Sequence, residues 1–192
     1  MPFSQMITRK RRCEDMTKVL DVTDLESPRF SPGFMLKAIK ELQGVDISPR
    51  MLSHTVLSTI GEAVTPADGY GSKRSFSFMD ASLLLSGRDL QDLGLNPART
   101  RSCVEAMRPR FAEMVSWALR QSQPEEDHDS GLDLFLVADF QRVAGFVPRV
   151  TTRSQLHGEQ EKGSSLPLIT YDARAGLGWY VLKLWALEAS KG

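Results

Sequence analysis

The sequence predicts an α+β protein, a winged helix-turn-helix within its first two thirds and a mixed or β-rich part after residue 131. Three observations carry this. From Gly33 to Arg120 apolar residues recur at three- and four-residue spacing, the period of helices that bury one face. The stretch 121–131, Gln-Ser-Gln-Pro-Glu-Glu-Asp-His-Asp-Ser-Gly, then breaks that period with polar and acidic residues. Beyond it lie short apolar runs, Leu132–Phe140 and Val147–Thr152, of strand length.

Taken in order, residues 1–32 have no clear period, contain Pro2, Pro28 and Pro32, and carry the basic cluster Arg9-Lys10-Arg11-Arg12. They read as a flexible basic arm, either a solvated tail or a source of phosphate contacts beside a DNA-binding unit. A first helix follows Ser31-Pro32, with Met35, Ala38, Ile39 and Leu42 inward and Gly44 at its end. A second opens at Ser48-Pro49, where serine caps and the proline lacks only an N–H that the first turn leaves unpaired. Its apolar face is Leu52, Val56 and Ile60, and the two helices form a helix-turn-helix pattern. The segment 65–78 is rich in turn formers (Pro66, Asp68, Gly69, Gly71) and ends in alternating Phe76 and Phe78. A short hairpin fits it, with Lys73 and Arg74 at the tip and the two phenylalanines as core.

Ser77-Phe-Met-Asp80 has capping-box spacing and starts a third helix with Leu83, Leu84, Gly87, Leu90 and Leu93 inward, closed by Gly94. Asn96-Pro97 starts a fourth. Val104, Met107, Phe111, Met114 and Ala118 form a seam along it, which suits either an intramolecular core or a dimer interface. Pro109 interrupts the seam and predicts two helices or a kinked one. After the linker, Leu156–Ser165 reads as a polar loop. Leu168–Tyr171 and Trp179–Trp185 fit either a hairpin or a strand followed by a terminal helix. The chain thus divides into an arm (1–32), a winged helix-turn-helix (33–108), a connecting or dimerisation helix (109–122), an acidic linker (123–131) and a small C-terminal domain (132–192).

The ordered series Ser48-Pro49-Arg50-x-Leu52, Gly69-Tyr70, Arg74-x-Phe76-Ser77-x-x-Asp80 and Leu90-x-x-Leu93-Gly94-Leu95 resembles the DNA-binding domain of the MerR family. The resemblance covers about 75 residues. It departs from the family in the second helix, where His54-Thr55-Val56 replaces the usual aromatic-rich stretch, and in the short, proline-broken dimerisation helix. The resemblance implies a sequence-specific regulator of transcription that binds double-stranded DNA. Its second helix would enter the major groove with Arg50, Ser53 and His54, while Lys73 and Arg74 would hold backbone beside it. Arg99 and Arg101, near the start of the fourth helix, are further candidates. A homodimer and contact of the C-terminal domain with an effector or RNA polymerase are implied partners.

The 24 basic and 24 acidic residues cancel, and segment 33–123 carries eleven basic against nine acidic residues, so charge permits DNA binding without demanding it. Cys13 and Cys103 form neither a disulfide framework nor a metal site and read as reduced thiols of a cytoplasmic protein. No apolar run approaches the roughly 20 residues that span a bilayer. His54, His128 and His157 lack metal-ligand spacing, and no nucleophile elbow or phosphate-cradling loop is present. The expectation is a non-enzyme without cofactor. The alternative is a winged-helix module that binds proteins and not DNA.

Overall fold

The computed structural model describes residues 25–61, 75–120, 132–139, 146–161, 165–172 and 174–190. Its elements run α1 (Pro32–Gln43), α2 (Pro49–Thr59), α3 (Phe78–Asp92), α4 (Pro97–Met107), a 3-10 turn (Arg108–Arg110) and α5 (Phe111–Arg120). Then come β1 (Leu132–Asp139), β2 (Phe146–Thr152), α6 (Arg153–Glu161), β3 (Ser165–Tyr171), a π-helical turn (Arg174–Gly178) and α7 (Trp179–Ala189). The protein is a helix-rich α+β fold.

Each of the first four helices begins where a short polar side chain can take an orphan amide. Ser31 Oγ accepts the Phe34 N–H at 3.2 Å, Ser48 Oγ that of Met51 at 3.2 Å, and Asn96 Oδ1 that of Arg99 at 2.9 Å. Proline stands in the first turn of each of those three. At α3 the box is reciprocal: Ser77 Oγ accepts the Asp80 N–H at 3.0 Å, and the Asp80 carboxylate accepts the Ser77 N–H at 3.4 Å. Gly44 leaves α1 in the left-handed region at φ 71°, which permits the tight turn into α2.

The centre of the fold is α3. Residues 81–87, Ala-Ser-Leu-Leu-Leu-Ser-Gly, carry no charge and are all buried, so this helix has no solvent face along its middle. α2 and α4 cover one part of it and α7 another. A side-chain carbon on Gly87 would stand 3.0 Å from Thr59, so the glycine sets how closely α2 approaches α3. Leu93, expected inward, is instead 62% exposed. It caps the end of α3, where the chain has already turned toward Gly94 (φ 93°), and Leu95 takes the buried position.

Val104, Met107, Phe111 and Met114 are all buried in the core of the single chain, and the break falls at the 3-10 turn around Pro109. The sheet order is β2-β1-β3, antiparallel throughout, with Leu134 opposite Val150 on one side and Tyr171 on the other. Pro148 and Pro167 both sit on the outer strands, the position where a sheet best tolerates a residue without an N–H. The polar loop expected over Leu156–Ser165 is corrected: residues Arg153–Glu161 form α6. Thr152 Oγ1 accepts the Gln155 N–H at 3.2 Å and Gln155 Oε1 accepts the Thr152 N–H at 3.4 Å, a capping box that starts a helix with little apolar content.

After β3 the chain forms a helix and not a second hairpin. Tyr171, Leu177, Tyr180, Val181 and Leu184 join the same hydrophobic core as α1 to α5. Leu25 and Phe30, within the expected arm, are also core. The basic cluster 9–12, Cys13, the wing tip with Lys73 and Arg74, and the linker 123–131 lie outside the described residues.

Candidate nucleic-acid interface

The second helix of the helix-turn-helix presents a divided surface. Leu52, Thr55, Val56 and Thr59 are buried against the core, while Arg50, Met51, Ser53, His54 and Leu57 are exposed. Positions 50, 53, 54 and 57 follow the i, i+3, i+4, i+7 rule and make one stripe along the outside of α2. The buried threonines satisfy themselves within the helix: Thr55 Oγ1 donates to the Met51 carbonyl at 2.8 Å and Thr59 Oγ1 to the Thr55 carbonyl at 2.7 Å. Ser53 Oγ turns back in the same way, donating to the Pro49 carbonyl at 3.2 Å.

Arg50 occupies the first turn, beside amide groups that have no partner within the helix, and forms no salt bridge among the described residues. His54 lines a groove of about 340 Å³ whose other wall is Arg88, Gln91 and Asp92. The stripe therefore has a cation at its start, two short polar groups in its middle and an apolar end at Leu57. Of this face the sequence pattern marks Arg50, Ser53 and His54, and the structure adds Met51 and Leu57. Their positions beside the polar three on the helical wheel were the available signal.

Phe76, two residues after Arg74 in the sequence, is held on several sides. Phe76 pairs with Phe30 in an isolated antiparallel bridge, each N–H donating to the other's carbonyl at 2.8 Å, and the Arg29 N–H also donates to the Phe76 carbonyl at 2.9 Å. The Phe30 ring stacks on Phe34 and meets Phe78 edge-on, with centroids 4.6 and 4.8 Å apart. Behind it, the buried Asp80 carboxylate accepts from both terminal nitrogens of Arg108 at 3.2 and 3.3 Å. Burial of these rings and the paired carboxylate fixes the start of α3 relative to residue 76.

Arg99 and Arg101 are exposed in the first half of α4, which packs against α2. Arg101 donates a guanidinium N–H to the Leu57 carbonyl, across the two helices. It stands at the end of α2 remote from Arg50, about 10 Å along the axis at 1.5 Å per residue. The fold thus gathers Arg50, Ser53, His54 and Arg101 along one helix.

Two of the titratable groups shifted by burial are Cys103 and Asp89. Burial pushes the Cys103 thiol up to about 11, so it stays protonated and unreactive at neutral pH. Burial also raises Asp89, against the lowering effect of hydrogen bonds from Tyr180 and Gln43. No group of three or more His, Cys, Asp or Glu side chains suited to a metal occurs among the described residues. None of their helices is long and apolar enough to cross a membrane. No family model matches the chain, and no curated protein matches it.

Proposed function

We propose that the chain is a transcriptional regulator that binds double-stranded DNA through a MerR-like winged helix-turn-helix, with α2 in the major groove. The observation that carries this reading is the outward stripe Arg50, Ser53, His54 on a helix whose opposite face is fully packed. A helix held in that way offers donors and acceptors to base edges while its cationic first turn meets phosphate. The Phe30–Phe76 bridge sets Phe76 beside the start of α1, and the wing is proposed for the residues that precede it in the chain. Lys73 and Arg74 then supply backbone contacts that strengthen binding with little sequence information. The C-terminal part serves effector, homodimer or polymerase contact. No cofactor is required.

The test is selection of bound sequences from a random duplex pool at two salt concentrations. A regulator enriches a site, and a palindromic site identifies a homodimer. Removing Arg50 by Arg50→Ala lowers affinity and reduces the slope of log K against log salt by about 0.9, the signature of one lost phosphate contact.

A second reading has its own observation. Met51 is 56% exposed, Leu57 44% and Leu93 62%; the first two lie on α2 and the third at the end of α3, and Met51 lines the groove. Exposed apolar residues in one region suit a protein partner. If the pool yields no site and binding does not respond to salt, the chain is a protein-interaction module on the same fold.

A further inference from the structure

The carbonyl of Leu57 is one of the last four of α2, at the negative end of the helix dipole, where no intrahelical partner is guaranteed. The final backbone bond of the helix runs from the Ile60 N–H to Val56 at 3.0 Å, and Gly61 then leaves in the left-handed region at φ 68°. Two neighbours hold this end. On the inner side Thr59 packs against Gly87 of α3, close enough that any larger residue must displace it. On the outer side Arg101 reaches from α4 and donates to Leu57 itself. Arg101 is carried on α4, which is anchored in the core by buried Thr100, Cys103 and Val104.

We propose that Arg101 is a positioning residue for the DNA-reading helix, not a phosphate contact. Its guanidinium ties the last turn of α2 to α4 at Leu57 and sets the angle at which Arg50, Ser53 and His54 meet a groove. This rests on the DNA-binding reading of α2. A cation at a helix C-terminus and a charge-assisted bond to a carbonyl both favour the tie. A change of helix angle moves base contacts more than phosphate contacts, because base edges are read at fixed geometry while a flexible cation follows phosphate.

The experiment compares the parent with Arg101→Ala and Arg101→Lys on a selected duplex and on an unrelated one, over a range of salt. Positioning predicts that the ratio of the two affinities falls about fivefold in Arg101→Ala, the change that one ordinary hydrogen bond corresponds to. The salt slope stays that of the parent, and Arg101→Lys restores part of the ratio. If both affinities fall together and the slope drops by about 0.9, Arg101 contacts phosphate and the proposal is wrong. If ratio and slope are both unchanged, the bond only decorates the fold and the proposal is again wrong. Amide exchange at Ile60 is read in the same free proteins. Faster exchange in Arg101→Ala shows the tie even if the parent binds no duplex, a result that overturns the DNA reading and leaves the tie standing. Unchanged exchange removes the tie itself.

Discussion

Gly176 and Tyr171 show how a single atom decides packing here. A side-chain carbon on Gly176 would overlap the Tyr171 hydroxyl, which is buried and donates to Ser86 Oγ at 2.8 Å. Gly176→Ala must displace that hydroxyl from Ser86, at a cost of about 1–3 kcal/mol for a buried polar group left unpaired. A urea denaturation curve shifted to lower midpoint with unchanged slope checks this. Asp89 offers a test with a sign. Its carboxyl accepts from Tyr180 at 2.7–2.8 Å and from Gln43 at 2.9 Å, yet burial outweighs these bonds and raises its pKa in the folded state, with Asp92 adding to the rise and Arg88 opposing it. The folded protein then binds more protons than the unfolded chain just above pH 3.8, so stability falls as pH rises through that window. Asp89→Asn keeps an acceptor for Tyr180 and removes the charge. Thermal melts should show it flattening that pH dependence, with stability nearest the parent at the acid end.

At the scale of elements, what was legible in the sequence was what local chemistry decides. Ser31, Ser48, Ser77 and Asn96 each announced a helix start, because a cap needs only residues within one turn. The prolines at 32, 49, 97 and 109 placed starts and one break for the same reason. The polar composition of α6 reads as a loop, yet the capping box at Thr152 and Gln155 obeys the same rule. Thr152→Ala should cost about 1 kcal/mol, the usual value of a lost N-cap, and the loss should appear in the amides of residues 153–156 before those of β1. Leu93 continues the apolar period yet lies outside the core, because periodicity does not mark where a helix yields to its turn. In the candidate site, Arg50, Ser53 and His54 were readable as the face opposite Leu52, Val56 and Ile60. The Arg101 bond to Leu57 was not, since it joins residues 44 apart on different helices.

Across the whole molecule the same limit explains the core. Sequence texture changes at 121–131, but packing does not follow texture. Tyr180, Val181 and Leu184 of α7 are buried in the same cluster as Met35, Leu84 and Phe111. Polar ties reinforce the joint: Gln43 donates to the Leu85 carbonyl, Asp89 and Tyr180, and Arg88 donates to Gln43 at 2.8 Å. At the far end of α7, Glu188 pairs with Arg29 at 2.6 Å, beside the bridge that holds Phe76. Each large apolar side chain taken out of this core forfeits about 1.5–3 kcal/mol, and the segment 171–184 supplies several. A chain ending at residue 122 should therefore lose cooperative unfolding and near-ultraviolet dichroism, while the full chain retains both. A truncated chain that melts as sharply as the parent would show two independent cores.

The claim that α2 reads DNA is tested most directly by following backbone amide signals of the full chain during titration with a selected duplex. The largest shifts are expected on residues 50–54 and on Lys73 and Arg74, weakening with added salt and leaving β1 to β3 unmoved. Shifts confined to the sheet or to Leu93 and its neighbours, or none at any duplex concentration, would contradict it.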